Sequence, residues 1–595
     1  MTERLGVRLV GVRHCAYDCG LALGYLQAYA QSRPGLKRRL SIGIEVFSTS
    51  DAVAAAADRV LSSSPGMVGL SCYLWNVRWI AALARRLKSA RPELMVVLGG
   101  PEVSARPLRY MDACPEADFI VVGEGEATFA DLLRALLSGG GSERLERVAG
   151  LAWRGGQGVR LNEARPLVDD LGEIPSPFLE GILPLGGYPH LCFESDRGCP
   201  FDCKFCDWKN KRRVRTFDEE RVLSETRLLL EKLPRAKVFM CDADMFLDRE
   251  RGRRLIRGFR RAGEGKRCVW ELHTYLPNLG MDEELMASLD SEKFTLAVGI
   301  QSVNPHVLRG LTRFFDDAKT RANAALLRRL APRAKLNAQL IYGLPGDDLE
   351  GFEASIEYAL SLWPDTLMLF PALALPGSGM GDDPERYGLR CQKEPPYRVL
   401  SSDSFSARDL RAADMLAFWN FTFQGAGFVA RALRYLGASL AGGVPMSYVR
   451  SLKGFARSLE GTPLDLSELY RRARKDLLGF VTFDEEPWGH DFLRAHGREF
   501  VDRLRAYARR ALEESGRADA WPPLDAFLER QRRVLLWKDL TRTVAFHRLV
   551  EKLVGGSANG RGPAAEDCWI GCEEFSAAEG ASCPARGACT GYLRS

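Results

Sequence analysis

Residues 197 to 208 read RGCPFDCKFCDW and set Cys199, Cys203 and Cys206 in a C-x3-C-x2-C pattern. Gly198 and Pro200 bracket the first cysteine, so the chain turns tightly there and brings the three thiols onto one loop. Closely spaced thiolates suit an iron-sulfur cluster. Cubane clusters usually take four cysteines, so a loop that supplies three leaves one iron open to another ligand. Two other readings stand beside this one: a structural zinc loop, which needs a fourth ligand close by, and a group of core cysteines with no metal at all.

Downstream of the loop, apolar strand patterns alternate with helical segments. The strands are KVFMCDADM, CVWELHTY, TLAVGIQS, AKLNAQLIYG and TLMLFPALALPG; with CFESD, which delivers the loop, they make six βα units. Period-2 alternation assigns a polar inward set of Asp242 and Asp244 on one strand, Val269, Glu271, His273 and Tyr275 on the next, then Ala297, Gly299 and Gln301, and then Asn337 and Gln339. Polar groups facing a closed lumen call for a polar ligand to satisfy them. Glu271, His273, Gln301, Asn337, Gln339, Asp242 and Asp244 are therefore candidate contacts for a bound ligand.

Upstream, VRLVGV, LSIGIEVFS, MVGLSCYLW, LMVVLGGPEV and DFIVVGEGE also alternate with helical patterns, which predicts a parallel doubly wound sheet. Ligands of such sheets lie beyond the carboxyl ends of the strands. Here those ends carry Ser71, Tyr73 and Trp75, then Gly99 and Gly100, then Gly123, Glu124, Gly125 and Glu126. Glycines there let backbone approach a large ligand. Residues 150–185 read as a hairpin and a proline-rich linker, and the expected division is 1–149, 150–185, 186–400 and a mainly helical 401–595.

The length of 595 residues exceeds a single core, and a net charge of +6 is too small for that length to argue for a nucleic-acid partner. No secretory leader or membrane span is legible, so a cytoplasmic setting is expected, where fifteen cysteines point to metal or redox chemistry. A tail with Cys568, Cys572, Cys583 and Cys589 is a candidate for a second metal or cluster, against a plain reading of incidental thiols. The basic run from Lys209 to Arg215 reads as a solvated helix start, and the aromatics Phe418, Trp419, Phe421, Phe423 and Phe428 read as core more readily than as a pocket.

The cysteine loop closely resembles that of the radical S-adenosylmethionine enzymes. LGGPEVSARP and DFIVVGEGEATFADLL resemble the cobalamin-binding domain that precedes the barrel in one large class of them. The resemblance covers roughly residues 1–400. It implies a Rossmann-like cobalamin domain, an incomplete (β/α)6 barrel and a family-specific helical cap. It also implies a 4Fe-4S cluster on Cys199, Cys203 and Cys206, methylcobalamin, S-adenosylmethionine, and a low-potential electron donor of the flavodoxin or ferredoxin kind. No D-x-H-x-x-G motif occurs, so the resemblance implies corrin bound without a histidine ligand, with the segment Tyr73, Leu74, Trp75 and Asn76 below it. The implied activity is methylation of a carbon in a specialised metabolite or peptide precursor, with Glu271 and Tyr275 as catalytic candidates. Glu271 could alternatively reach the open iron and block radical formation. Radical rearrangement or cyclisation without methyl transfer is the alternative activity, and a non-catalytic cobalamin or cluster carrier is the reading outside enzymes.

Overall fold

The structure, a computed structural model, describes residues 4–13, 20–139, 141–156, 158–183, 185, 190–208, 213–233, 235–425, 428–441, 447–465, 467, 470 and 487–534. It divides into two units, Met1–Ala417 with Arg471–Glu485, and Phe418–Tyr470 with Glu486–Ser595.

The first unit holds two sheets. β1 (Leu5–Arg13), β2 (Leu40–Ser48), β3 (Met67–Ser71), β4 (Met95–Gly99) and β5 (Phe119–Val121) are parallel in the order β2-β1-β3-β4-β5. β3 is buried at all five positions, as a central strand covered by helices on both faces must be. The order reverses between β1 and β3, and the crevice beyond their carboxyl ends is where such sheets take ligands.

The hairpin expected in the linker is present, but it is not a linker. β6 (Leu151–Gly155) pairs antiparallel with β5, with Phe119 opposite Trp153, and β7 (Gly158–Leu161) completes a seven-stranded sheet. Trp153 explains the difference: its ring is buried and its Nε1 donates to Asn162 Oδ1 at 3.1 Å.

The second sheet has six parallel strands in sequence order: β8 (His190–Phe193), β11 (Arg235–Met240), β12 (Arg267–Thr274), β13 (Phe294–Gln301), β14 (Lys335–Tyr342) and β15 (Thr366–Pro371). Between the first two of these, β9 (Asp196–Arg197) and β10 (Arg215–Thr216) form a separate two-stranded ribbon. No pairing joins β15 to β8 among the described residues, so the barrel is open, as expected.

Local sequence sets the βα units. Asp218, Asp248, Asp282, Asn304, Asp316 and Asp348 each accept a backbone N–H at the start of a helix. On β12 the even residues face out: Trp270 is fully buried and stacks on Phe259 of helix Arg249–Ala262 with ring centroids 4.2 Å apart. One strand departs from its expected parity. On β11 the lumen side carries Lys237 and Phe239, because Phe239 is in register with Glu271 and its ring meets His273 edge-on at 4.9 Å. Asp242 and Asp244, expected inside, lie past the end of the strand and are buried among backbone groups.

The second unit is helical, with Phe423, Phe455 and Phe500 packed at centroid separations of 5.3 to 5.6 Å. Phe418 and Phe423 are core residues, in line with the plain reading of the aromatic stripe.

Replacing Trp270 by alanine should cost about 3–5 kcal/mol, the range for emptying a buried aromatic site. Urea unfolding followed at the barrel checks this; a loss below about 1 kcal/mol would contradict the stacking role assigned to the ring.

Candidate functional site

The crevice between β1 and β3 is built around Asn76, which is fully buried. Its Nδ2 donates to Val12 O at 3.1 Å and Ser71 O at 3.0 Å, and its Oδ1 accepts from Tyr73 N at 2.8 Å. One side chain therefore ties the end of β1 to the turn after β3. The turn presents Tyr73 and Trp75, stacked with centroids 4.4 Å apart, and Trp75 Nε1 is anchored to Val12 O at 3.2 Å. Both residues are half-buried, so they form a fixed aromatic platform at the switch point.

The glycines have unequal roles. Gly100 has φ of 108°, and a Cβ there would lie 2.5 Å from Cys72 O, so glycine is needed for β4 to pack on β3. A Cβ at Gly123 (φ +80°) would meet nothing within 4 Å, so its backbone borders open space. Gly125 packs on Leu26, and the Gly99 carbonyl accepts from Cys72 N at 2.6 Å.

Glu124 and Glu126, expected at a cofactor, are engaged elsewhere. Arg215 forks onto Glu124, with Nη1 at 3.0 Å from Oε2 and Nη2 at 2.5 Å from Oε1. Arg197 Nη1 reaches Glu126 Oε1 at 2.8 Å, and its other edge grips Glu194. The correction has a direct cause: two buried guanidinium groups from the ribbon need carboxylates, and this turn supplies them. It also revises the reading of the basic run, since Arg215 is buried in β10 rather than solvated.

The cluster loop leaves this ribbon at Gly198, whose φ is 111°. It is pinned by Lys204 N to Leu311 O and by Met380 N to Lys204 O, both at 2.9 Å, and Cys206 N closes a turn onto Cys203 O at 3.1 Å. Arg313, which the sequence reading missed, places Nη1 3.8 Å from Cys203 Sγ and Nη2 2.5 Å from Gly299 O. Burial pushes the Cys206 thiol up to about 12, and the neighbouring Asp207, Cys203 and Cys199 add to it. Burial also raises Cys199, while the Phe201 N–H and the Arg313 charge oppose it.

Three thiols on one pinned loop beside a cation fit a negatively charged cluster. Among the described residues no three His, Cys, Asp or Glu side chains converge as a site for one metal ion. In a cluster each cysteine binds its own iron.

In the barrel, Gln301 stands at φ +70° beside a bulge in β13, and its Oε1 is buried without a partner, as is Asn337 Oδ1. Backbone strain and orphaned amide oxygens together suit a ligand rich in N–H and O–H groups, such as S-adenosylmethionine. Gln339 lies in the next register row, opposite Gly299.

Other candidates are occupied. Asp242 accepts from Ser195 N and Oγ, both at 2.7 Å, and from Asp196 N at 3.1 Å, so it holds the turn before the cluster loop. Asp244 accepts from Phe246 N, Thr274 Oγ1, Tyr275 N and Asn278 Nδ2. Glu271 is buried three residues before the end of β12, roughly 10 Å below the strand ends, with its carboxylate 3.5 Å from Lys237 Nζ. Tyr275 accepts from Asp316 N at 2.8 Å through its hydroxyl, and Arg313 lies over its ring at 5.2 Å, so it supports the loop that carries Arg313. His14 and the cysteines at 568, 572, 583 and 589 lie outside the described residues.

The chain's relatives agree with this division of labour. Residues 36–133 match the B12 binding domain, and residues 194–359 match the radical SAM superfamily. The chain thus carries a match to the B12 binding domain followed by a match to the radical SAM superfamily. It is 32% identical over 236 residues to the 2-(S-pantetheinyl)-carbapenam-3-carboxylate methyltransferase of Streptantibioticus cattleyicolor, covering 38% of this chain and 34% of that one. It is 31% identical over 239 residues to the cobalamin-dependent radical SAM methyltransferase TokK of Streptomyces tokunonensis, with the same coverage. The chain therefore spans about a third of the length of these relatives. The solved structure of the cobalamin-dependent S-adenosylmethionine radical enzyme OxsB, with aqua-cobalamin and S-adenosylmethionine bound, shares the fold. Its TM-score is 0.55 at 15% identity, over 90% of this chain and 84% of that one.

Two measurements test the site. Gly100→Ala should disturb the β3–β4 edge and weaken cobalamin binding at least tenfold by absorbance titration, about 1.4 kcal/mol; unchanged affinity would show that the edge tolerates the Cβ. Asp347, in the Gly343–Asp347 turn after β14, is pushed up to about 6 by burial, opposed by Asn304 and the Asp348 N–H. A carboxyl raised on folding holds its proton more tightly in the native state. Its stabilising contribution is therefore present below about pH 4 and lost as the pH rises through about 6. Asp347→Asn should remove that slope and regain up to about 3 kcal/mol at neutral pH. Urea unfolding at both ends of this range checks it, and a slope identical to the parent's would refute the assignment.

Proposed function

We propose that the chain is a cobalamin-dependent radical S-adenosylmethionine C-methyltransferase acting on a specialised-metabolite or peptide precursor. The observation that carries this reading is the ion-paired join between the base of the cluster loop, Arg197 and Arg215, and the turn Glu124–Glu126 at the carboxyl end of β5. It puts the cysteine loop against the edge of the sheet that carries the B12 binding domain, as a reaction using both groups requires. The methyltransferase names of the carbapenam-carboxylate enzyme and TokK favour methyl transfer over rearrangement.

In this reading Cys199, Cys203 and Cys206 hold the cluster, and Arg313 offsets its negative charge beside Cys203. Gln301 and Asn337 turn buried amide oxygens toward S-adenosylmethionine, and Gln339 lines the same lumen. Tyr73 and Trp75 offer a flat apolar surface to the corrin, fixed by Asn76. When bound, S-adenosylmethionine on the cluster supplies the means to remove a hydrogen atom from an unactivated carbon, and methylcobalamin supplies the methyl group. Lys237 Nζ lies 3.5 Å from the Glu271 carboxylate below the rim, so in this reading Glu271 acts on substrate or on lumen polarity rather than on iron. A low-potential flavodoxin or ferredoxin would deliver electrons. A cytoplasmic setting accords with the cysteine content, and no described helix is long and apolar enough to cross a membrane.

Anaerobic protein reconstituted with iron and sulfide, then given S-adenosylmethionine, methylcobalamin, a strong reductant and a panel of precursors, should release 5'-deoxyadenosine and S-adenosylhomocysteine together with a methylated product. Cys203→Ala should release neither. 5'-Deoxyadenosine without S-adenosylhomocysteine would replace methylation by rearrangement or cyclisation.

A further inference from the structure

We infer that Glu124 and Glu126 form a clamp that couples the two cofactor sites: by closing the base of the cluster loop they make cobalamin binding and cluster retention favour one another. The inference rests on the two-cofactor reading above and adds a linkage that neither domain has alone.

The base of the loop is a ribbon of two residues per strand, with Arg197 opposite Arg215 and Thr216 opposite Asp196. A ribbon this short has little stability of its own. It also places two arginines at one register position, where their charges repel. Their side chains are only 10% and 2% exposed, so water does not screen them. Glu194, from the chain just before the ribbon, satisfies one edge of Arg197. What remains of Arg197 and the fork of Arg215 are satisfied by Glu126 and Glu124, each 7% exposed. Arg197 also lies over the rings of Tyr25 and Phe217, at 4.9 and 5.6 Å, and those rings stack on each other at 5.9 Å. Tyr25 belongs to the first helix of the cobalamin domain and Phe217 follows β10, so apolar packing and charge pairing close the same joint.

The coupling follows from what each end of the joint touches. Cys199 is two residues beyond Arg197, so an unpaired Arg197 loosens the first ligand directly. Glu124 follows Gly123, which borders open space at the carboxyl edge of the sheet and whose N–H donates to Ser104 Oγ at 3.0 Å. A large ligand resting on that edge orders the turn that aims Glu124 and Glu126. An ordered clamp closes the ribbon, and a closed ribbon in turn favours the ligand by the same factor, since linkage is reciprocal.

The test uses full-length protein loaded with its cluster. Iron release to a chelator is timed with and without hydroxocobalamin, and hydroxocobalamin affinity is measured with the cluster present and after stripping. In the parent protein cobalamin should slow iron release roughly five- to tenfold, and the cluster should tighten cobalamin by a similar factor, within the usual range of allosteric coupling. In Glu124→Gln/Glu126→Gln both groups should still bind, with the factor reduced to about one; Glu126→Gln alone, which keeps the Arg215 fork, should give an intermediate value and covers the case where the double variant fails to fold. Asp131→Asn, which removes an ion pair to Arg165 in the same domain, should leave the factor unchanged. A double variant with the parent's factor overturns the clamp, as does a parent that binds both groups with no mutual effect. A parent that binds no cobalamin overturns the two-cofactor reading and the clamp with it.

Discussion

Arg197 and Arg215 face each other across a ribbon of two residue pairs, and this pairing of like charges in a nearly dry place is the constraint on which the rest of the site depends. Burying a guanidinium group costs several kcal/mol unless its donors are matched. Three carboxylates and the Val168 carbonyl do the matching: Glu194 from just before the ribbon, and Glu124 and Glu126 from the start of the helix that follows β5. The loop that carries the cysteines therefore cannot be closed by its own sequence. It takes its shape from the domain in front of it, which gives a physical reason for one chain to carry both domains.

Much of this was legible in the residues. Six βα units and an open barrel follow from strands spaced by helical segments, and the structure has them because each helix start finds its Asp or Asn cap. The carboxyl edge of the first sheet was legible as the place for a ligand, since parallel sheets concentrate ligand contacts there, but the reversal of strand order between β1 and β3 was not. Side-chain parity was less secure where a strand ends. Asp242 and Asp244 continue the alternation of β11 in sequence, but the strand stops at Met240 and the chain turns, so both carboxylates meet backbone N–H groups and hydroxyls instead of the lumen. Alternation is a property of extended backbone and lapses with it.

The charges were harder to read for a different reason. GEGE looks like a ligand loop because its glycines do border open space at Gly123, yet its two carboxylates are taken by arginines more than seventy residues further along the chain. Nothing local to Glu124 signals this. Arg197 stood inside the stretch that decided the fold, but an arginine before a cysteine has many uses, and only its burial selects one. Arg313 was missed on the same ground, and Asn76 was read with its segment as facing the corrin and not as a tie to β1: each acts through contacts between segments distant in sequence, 110 residues apart for Arg313 and Cys203 and 64 for Asn76 and Val12.

These long-range contacts also order the site in energetic terms. Asn76 ties two parts of one sheet, and its loss would disturb only the aromatic platform at the switch point. Arg313 bridges Gly299, beside the β13 bulge, and Cys203 on the cluster loop, so it fixes that thiol relative to a barrel strand. Arg197 reaches furthest, since one guanidinium group spans the cluster loop, its own strand and the neighbouring domain. A polar contact constrains a structure in proportion to the number of otherwise independent elements it joins, provided it is buried enough that water cannot replace it. By that measure the carboxylates of Glu124 and Glu126, which look like ligand residues in the sequence, are the point at which the cysteine loop is tied to the first sheet's carboxyl edge.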